Sequence, residues 1–269
     1  MSSRFIRFAI GAILAAGLAV GSSYLGARAG MHYKMNRLLY ELPQGESVRA
    51  AVREALGIQK SYSAGEQDLW IVLSVAPGKR DGYYVDIGSA DGVVHSNSYI
   101  LDQLGWKGIC VDPFPSNMAR RTCQMVKQPV FSESGKTVSF RQAGENGGIT
   151  TTLDRSKEIA ASAALVEFVT TTIDEILEKS KAPRHIDYMS IDVEGAEFEA
   201  LKGLSFDKHE VDAITIEHND EKEKRESIRQ LLESKGYVRV RSWLTDDWYL
   251  RRELAKNYEF RLDWGFRNF

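Results

Sequence analysis

The chain has 269 residues, of which 43% are hydrophobic and 27% charged, the composition of an ordinary globular protein. That length accommodates one domain of about 200 to 250 residues and a short additional segment. The formal net charge of -2 gives no basic field, which disfavours nucleic acid as the main partner. The two cysteines, Cys110 and Cys123, cannot form a disulfide framework or a zinc site by themselves, and they fit a reducing compartment.

The first predicted element is an N-terminal hydrophobic helix. Residues 8–27 contain no charged side chain and have arginines on both sides, which leaves the orientation open. As a helix this stretch would be about 30 Å long, enough to cross a bilayer. We interpret it as a membrane anchor. The alternatives are a cleaved signal peptide, because Ala-Arg-Ala at 27–29 resembles a cleavage site, and a buried helix of a soluble protein.

A helical lead-in follows the anchor. Apolar residues recur at helical spacing from Val48 to Leu56, and a second helix is predicted around Leu69, Trp70 and Val72. Pro77 and the residues after it form the loop into the first strand.

The stretch 82–92, Gly-Tyr-Tyr-Val-Asp-Ile-Gly-Ser-Ala-Asp-Gly, predicts a buried parallel strand that runs into a glycine-bordered turn. Glycines at the carboxyl end of a first strand let the backbone approach a ligand, and Asp86 or Asp91 there can hold a cationic group. The spacing from Gly88 to Gly92 lacks the three glycines of a dinucleotide fingerprint, which disfavours a nicotinamide dehydrogenase.

A crossover helix at 96–104 leads to a second short strand at 109–111, which ends in Asp112. An acid at this place, roughly 20 residues after the glycine turn, is suited to bridge the two hydroxyls of an adenosine ribose. Asp86 and Asp112 are expected at the same edge of one sheet.

The middle of the chain is less regular. We expect a helix from Ser116 through Val126, a short third strand at 129–131, and an antiparallel side strand that contains Val138 and Phe140. The segment 144–162 is interpreted either as a lid over the site or as a disordered surface insertion.

The next cluster begins with a strand at 165–169 and a helix from Thr172 or Asp174 to Lys179. A strand at 186–191 then ends in Asp192, and a helix is expected to begin at about Glu194. Acids at a helix N-terminus are favoured by the macrodipole, so Glu194 can be structural. Asp192 is predicted at the same sheet edge as Asp86 and Asp112, which favours a role in the site.

A buried strand at 211–216 runs into Glu217, His218, Asn219 and Asp220. Such a group at a strand end can supply a base, a metal ligand or a substrate clamp, although His218 can equally be a solvated loop residue. A charged helix at 221–235 and a hairpin at 237–250 follow. The aromatic tail from Arg251 is expected to pack on the domain or to meet a membrane or a partner.

Taken together, these motifs resemble the FkbM family of S-adenosylmethionine-dependent methyltransferases. The motifs are G-E-Q-D-L-W at 65–70, V-D-I-G-S-A-D-G at 85–92, G-W-K-G-I-C-V-D-P-F-P at 105–115, T-T-I-D-E-I-L at 171–177 and S-I-D-V-E-G-A-E-F-E-A-L-K-G-L at 190–204. The resemblance implies an α/β Rossmann-like class I methyltransferase fold with a seven-stranded, mostly parallel sheet and helices on both faces. It also implies methyl transfer, usually to an oxygen of a sugar or other small molecule, which can be a hydroxyl or a carboxylate.

The resemblance further implies that S-adenosylmethionine is held by Asp86, Gly88, Ser89, Ala90, Asp91, Gly92, Asp112, Pro113 and Glu133. In this reading Asp112 takes the ribose hydroxyls and Glu133 lies near the adenine, while Asp192 and Glu194 match the family's acidic motif near the transferred methyl. The chain departs from the family in its Ser-Ala-Asp turn and in carrying aspartate at position 112, where glutamate is usual.

For the chemistry, Asp192 or His218 is the candidate base, and Glu194 and Glu217 are candidate substrate clamps or ligands of a divalent ion. No spacing in the sequence demands a metal. The alternative function is a membrane-anchored binding or scaffold protein that keeps the fold without transferase activity.

The expected organisation is an anchor or signal-like segment at 1–30, a helical lead-in at 31–76, a methyltransferase domain at 77–252 and an aromatic tail at 253–269. Because S-adenosylmethionine is made in the cytosol, we expect the catalytic domain of a membrane-anchored enzyme to face the cytoplasm.

Overall fold

The computed structural model describes residue 57 and residues 61–76 and 78–256. The predicted membrane segment at 8–27, the lead-in helix at 48–56 and the tail beyond residue 256 lie outside the described residues. Within the described ranges no helix is long and apolar enough to cross a membrane.

The described residues contain ten strands: β1 (Tyr83–Ile87), β2 (Lys107–Val111), β3 (Gln124–Val126), β4 (Thr137–Gln142), β5 (Gly148–Ile149), β6 (Ala164–Val169), β7 (His185–Ile191), β8 (Glu210–Glu217), β9 (Tyr237–Trp243) and β10 (Asp246–Arg251). Seven of these form one sheet in the order β3-β2-β1-β7-β8-β10-β9. Only β10 in this sheet runs against its neighbours β8 and β9. This is the mostly parallel, Rossmann-like methyltransferase sheet that the sequence predicts.

The register brings the carboxyl ends of the central strands to one edge. Ile87 at the end of β1 pairs with Val111 of β2 on one side and with Ile191 of β7 on the other. Ile191 in turn pairs with Ile216 near the end of β8. Whatever follows these four positions in the chain therefore emerges at the same edge of the sheet.

Six helices occur in the described ranges: α1 (Gln67–Trp70, continued by a π-helical turn at Ile71–Val75), α2 (Tyr99–Gln103), α3 (Ile173–Lys179), α4 (Glu197–Lys202), α5 (Lys222–Ser234) and α6 (Arg252–Ala255). The Thr172 side chain accepts a hydrogen bond from the Glu175 amide and so caps α3, as predicted. In α5, Ile228 and Leu232 are fully buried, and they pack on the apolar core that the strands build. The Trp70 ring lies 4.9 Å from that of Trp248 in β10.

A small antiparallel sheet, in the order β5-β4-β6, is formed by the middle of the chain. The side strand predicted around Val138 and Phe140 is β4, and the strand predicted at 165–169 is its partner β6. Phe140 packs in a second apolar cluster with Ile149 and Ala196.

Three local predictions were wrong. The helix expected from Ser116 through Val126 is a short 3-10 turn at Met118–Arg120 followed by β3, because Arg121 adopts an extended backbone. The strand expected at 129–131 is one isolated bridge from Val130 to Thr171, and β3 takes the place beside β2. Helix α4 begins at Glu197 rather than near Glu194, since Glu194 and Gly195 have positive φ angles.

The two cysteines are also not free. Cys110 in β2 and Cys123 just before β3 form a disulfide, with their Cα atoms 5.8 Å apart. Because β3 lies beside β2 in parallel register, residues far apart in the sequence come within bridging distance. The two cysteines thus form a single bridge, which the sequence analysis does not predict.

Candidate functional site

A cleft of about 590 Å³ opens at the edge of the sheet where β1, β2, β7 and β8 end. Its volume lies within the range of small-molecule sites. The predicted site residues that line it are Asp86, Gly88, Ser89, Ala90, Asp91, Asp112, Pro113, Asp192, Glu194 and Glu217. These residues come from four separate strand ends, so the fold gathers them into one place.

Three predicted site residues do not line the cleft. Glu133 is 66% exposed and pairs with Lys136 at the surface. His218 is buried, and its Nδ1 accepts a hydrogen bond from the Asp220 amide while its Nε2 lies 3.8 Å from Asp247. Burial lowers the pKa of His218. Gly92 packs on Met118 behind the wall of the cleft.

The glycine turn after β1 is fixed by its neighbours on both sides. The backbone amides of Gly88 and Ser89 donate to the Val111 carbonyl at 2.8 and 3.1 Å. Gly88 has φ +90, and a Cβ there would lie 1.6 Å from the Asp192 carbonyl oxygen. Only glycine allows β1 and β7 to remain this close where the cleft begins.

Asp112 sits at the end of β2 with its carboxylate held from two directions. Oδ2 accepts a hydrogen bond from the Ala90 amide at 3.0 Å, and Oδ1 accepts one from the Phe114 amide at 2.7 Å. Burial nevertheless raises the pKa of Asp112. Each oxygen keeps a free lone pair, so the group can still accept hydrogen bonds from two ligand hydroxyls.

Beside Asp112 the cleft has an apolar wall that sequence patterns do not single out. It is built by Phe114, Pro129, Val130, Phe140 and Ile149. The rings of Phe114 and Phe140 lie 5.9 Å apart. An apolar wall next to a hydroxyl-binding carboxylate fits a nucleoside, whose base is flat and whose ribose carries a diol.

Asp86 lines the same side of the cleft but is already engaged within the protein. Its Oδ2 accepts a hydrogen bond from Ser98 Oγ and lies 3.9 Å from the Arg121 guanidinium. Burial raises the pKa of Asp86, and the Arg121 charge opposes that shift. The sequence does not reveal this partner, because Arg121 lies outside every motif.

Asp91 also holds the turn together. It accepts hydrogen bonds from the Val93 and Val94 amides and from the side chains of Ser116 and Asn117. Although partial burial raises its pKa, these hydrogen bonds outweigh the burial and lower it. The charged carboxylate of Asp91 therefore links the glycine turn to the segment after β2 through hydrogen bonds.

One further observation indicates that the part of the cleft around Asp112 fits S-adenosylmethionine. Ser89 lines the cleft, and its buried Oγ has no hydrogen-bond partner among the described residues. A buried hydroxyl without a partner is costly, and a polar ligand group in the cleft would satisfy it. The donors, the apolar wall and Asp112 together match a ligand that has an amino acid part, a flat base and a ribose.

Another part of the cleft lining is strongly acidic. Asp192, Glu194 and Glu217 each offer an oxygen, and these three atoms lie within 4.8 Å of one another. Asp246 at the start of β10 joins them in the lining, a residue that sequence reasoning missed. Hard divalent cations prefer oxygen ligands, so three of these residues could hold one.

Burial and mutual repulsion raise the pKa values of these acids. Burial, followed by the charges of Glu217 and Asp246, raises the pKa of Asp192 well above its usual value. Burial and the charges of Glu194 and Glu197 raise the pKa of Glu217 to about 8. Burial raises the pKa of Asp246 to about 6. Carboxyls whose pKa values are raised by burial and by neighbouring charges are suited to acid–base chemistry.

The acids differ in how they are held. Glu217 accepts a hydrogen bond from Asn219 at 2.6 Å, Glu194 from Ser156 at 2.5 Å, and Asp246 from Gln67 at 2.7 Å. No hydrogen bond or ion pair within the described residues holds the carboxylate of Asp192.

A lysine near these acids forms its ion pairs with two other carboxylates. Lys224 bridges Asp154 and Glu197 at 2.6 Å each and does not line the cleft. The lining acids therefore form no ion pair with Lys224, although its charge opposes the rise in the pKa of Glu217.

The segment 144–162, expected as a lid or a disordered insertion, forms part of the wall. Residues 144–147, Ile149 and Arg155 line the cleft. The Glu145 carboxylate lies 2.9 Å from His95 Nδ1, which joins this segment to the loop after the glycine turn. The backbone of Thr152 packs so closely on Gly195 that a Cβ there would lie 2.1 Å from the Thr152 carbonyl oxygen.

Comparison with known proteins identifies the family of the chain. No curated protein matches the chain. Among solved structures, a crystal structure of the proposed RNA methyltransferase PH1948 from Pyrococcus horikoshii matches with a TM-score of 0.30 and 12% identity, over 76% of this chain and 98% of that one. The family model of the methyltransferase FkbM domain matches residues 86–239, more than half of the 269 residues. The chain therefore belongs to the FkbM methyltransferase family.

Proposed function

We propose that the chain is an S-adenosylmethionine-dependent O-methyltransferase that acts on a hydroxyl of a neutral small molecule, such as a sugar. The observation that carries this proposal is that one cleft gathers two kinds of residues. Asp112, the glycine turn and an apolar wall line it together with the carboxylates of Asp192, Glu194 and Glu217. A donor and an acceptor bound in this one cleft would be next to each other, which supplies much of what methyl transfer needs.

On the cofactor side, the roles follow from the contacts already described. Asp112 would accept hydrogen bonds from the ribose hydroxyls, Ser89 and the turn from Gly88 to Asp91 would hold the amino acid part, and Phe114 and Phe140 would flank the base. When bound, S-adenosylmethionine supplies a methyl group that its sulfonium already activates. The protein then has to align that methyl with the acceptor and to take up one proton.

Asp192 is the candidate general base. It follows the end of β7 and lines the cleft, and no side chain in the described part of the chain forms a hydrogen bond that would hold its charge in place. Burial and neighbouring acids raise its pKa, which makes its ionised form a better proton acceptor than an ordinary carboxylate. His218 is less suited to this role because its side chain points away from the lining.

Glu194 and Glu217 would then orient the acceptor. Both lie within reach of Asp192, and both can accept hydrogen bonds from acceptor hydroxyls or hold a divalent ion that does so. Arg155 is the one lysine or arginine in the described lining, so acidic side chains outnumber basic ones there. This charge balance disfavours a phosphate or carboxylate group on the acceptor, because like charges repel in a partly buried site.

The proposal is tested with S-adenosylmethionine that carries an isotopically labelled methyl group. The purified protein is incubated with matched acceptors, namely neutral sugars and their phosphorylated or carboxylated counterparts, and the products are analysed by mass spectrometry. We expect a labelled methyl group on a neutral acceptor and none on its anionic counterpart. Cofactor binding without any methylated product across such a panel would instead favour a binding or scaffold protein.

We also propose that the N-terminal segment anchors the protein in a membrane with the catalytic domain on the cytoplasmic side. The support is the uncharged stretch at 8–27 together with the cytosolic supply of the cofactor. Protease treatment of sealed inside-out and right-side-out vesicles tests the orientation. Digestion of the domain from the cytoplasmic side alone is the expected result.

A further inference from the structure

The disulfide between Cys110 and Cys123 closes the segment that forms one wall of the cofactor side. Cys110 is fully buried in β2, and Cys123 lies just before β3. The enclosed residues 111–122 include Asp112, Pro113 and Phe114, all of which line the cleft. The bridge therefore ties both ends of this wall to the strand that carries the ribose-binding carboxylate.

The same segment is hydrogen-bonded to the glycine turn. The Ser116 amide donates to the Ala90 carbonyl at 2.9 Å, and the Gly92 amide donates to the Ser116 carbonyl at 2.9 Å. The side chains of Ser116 and Asn117 also bind Asp91. A movement of the segment would thus move the turn that faces the cofactor.

Arg121 anchors the segment two residues before Cys123. Its side chain is only 1% exposed, and it donates to Asp102, Tyr84 and Ser98 at 2.7, 2.9 and 2.7 Å. It also donates to the Gly92 carbonyl at 3.1 Å. Arg121 interacts with Asp86 at the wall of the cleft in two ways: both bind Ser98, and the positive charge of Arg121 attracts the Asp86 carboxylate.

Apolar packing holds this segment chiefly at Phe114, whose ring lies 5.9 Å from that of Phe140 and 5.2 Å from that of Phe168. None of residues 112–123 is buried as a whole residue, and the one regular element there is the 3-10 turn at Met118–Arg120. Beyond Phe114, polar contacts and the disulfide hold the segment, whereas the sheet behind it has its own apolar core. Loss of the bridge should loosen this segment and leave the rest of the fold intact.

We propose that the Cys110–Cys123 bridge is a redox-sensitive link that holds the cofactor side in its binding geometry, so that reduction weakens S-adenosylmethionine binding. The half-buried Cys123 is the accessible sulfur, and a thiolate of a dithiol reductant attacks it. A bond forms between the reductant and Cys123, and Cys110 leaves as a thiolate that takes up a proton. The second thiol of the reductant then releases Cys123 as a thiol and becomes oxidised to a cyclic disulfide.

The predicted loss of S-adenosylmethionine affinity on reduction rests on the proposed function. The predicted loosening of the segment 111–122 does not. The experiment compares the oxidised full-length protein, the same protein after dithiothreitol, and the Cys123→Ser variant. Calorimetry measures S-adenosylmethionine affinity, and hydrogen exchange without ligand measures protection of the Gly92 and Ser116 amides. Mass spectrometry confirms the gain of two hydrogens on reduction, and circular dichroism follows the fold.

We expect reduction and Cys123→Ser each to weaken binding about tenfold or more, because reordering even one or two backbone residues costs that much. Exchange at the Gly92 and Ser116 amides should speed up, while exchange at Met189 in β7 should stay slow. Unchanged exchange at Gly92 and Ser116 in the reduced protein would overturn the proposal, as would unfolding of the whole domain on reduction. If the oxidised protein binds no S-adenosylmethionine, the proposed function fails, and the exchange data still decide whether the bridge holds the segment.

Discussion

The Asp192 carbonyl oxygen lies where a side chain of residue 88 would begin: a Cβ on Gly88 would be only 1.6 Å from it. The Asp192 amide also donates to the Ile87 carbonyl at 2.9 Å. The start of the cofactor turn and the candidate base are thus packed directly on each other. Their separation cannot change without disturbing both sides of the cleft.

Replacing Gly88 by alanine should therefore lower the free energy of unfolding by far more than the addition of one methyl group suggests. The φ angle of +90 costs an alanine about 1 to 2 kcal/mol, and the contact with Asp192 adds to that cost. Gly135→Ala is the matched control, because Gly135 has φ +81 and nothing within 4 Å of its Cβ position. Urea unfolding should show a clearly larger loss for Gly88→Ala, and equal losses would contradict the close contact.

Asp112→Ala should weaken S-adenosylmethionine binding by about 1 to 3 kcal/mol, since an acceptor for two ribose hydroxyls is lost. Calorimetric titration measures this loss. Glu133→Ala is the control, because Glu133 lies at the surface and pairs with Lys136. Unchanged affinity in the Asp112 variant would remove the ribose assignment, and a comparable loss in the Glu133 variant would restore the adenine role expected for Glu133.

Asp192→Asn should reduce turnover by about 10² to 10⁴ and leave cofactor affinity nearly intact, because asparagine cannot accept the acceptor proton. His218→Asn is the comparison, since its side-chain oxygen can still accept from the Asp220 amide. We expect that variant to keep its turnover. Full activity of Asp192→Asn, or loss of activity in His218→Asn alone, would transfer the base role to His218.

The pH dependence of turnover should report the acidic side of the cleft. Burial and then the charge of Glu217 raise the pKa of Asp192, so a base at that position becomes effective only as the pH rises. Glu217→Gln removes one of these charges and should move the rising limb of the pH–rate curve to lower pH. A limb that stays in place would show that Asp192 does not titrate in the reaction.

Glu217 should also make stability depend on pH. Its pKa is raised to about 8 in the fold from 4.5, so between these values the folded chain keeps a proton that the unfolded chain has lost. The free energy of unfolding should therefore decrease as the pH rises from about 4.5 to 8. Urea unfolding at several pH values should show a flatter dependence for Glu217→Gln than for the wild type, and equal slopes would disprove the shift.

The sequence is most informative where a strand end and a chemical group coincide. Asp112 and Asp192 each follow a short apolar strand, and parallel strands end at one edge, so their convergence could be predicted. Asp246 could not be found this way. It begins β10, which runs antiparallel to β8, and its carboxylate reaches the cleft from the opposite strand direction.

Arg121 shows a second limit of sequence reasoning. It lies in a segment without hydrophobic periodicity, where a disulfide and buried polar contacts decide the backbone path. The capping signal at Ser116 favours a helix locally, but the bridge at Cys123 requires an extended approach to β3. Tertiary constraints of this kind leave no local pattern in the residues themselves.

The most direct test is a crystal structure of the complex with S-adenosylhomocysteine, the demethylated product. We predict the ribose hydroxyls within about 3.2 Å of the Asp112 carboxylate and the sulfur facing Asp192 across the cleft. A ligand bound elsewhere, or a cleft that excludes it while the protein still methylates an acceptor, would contradict the account.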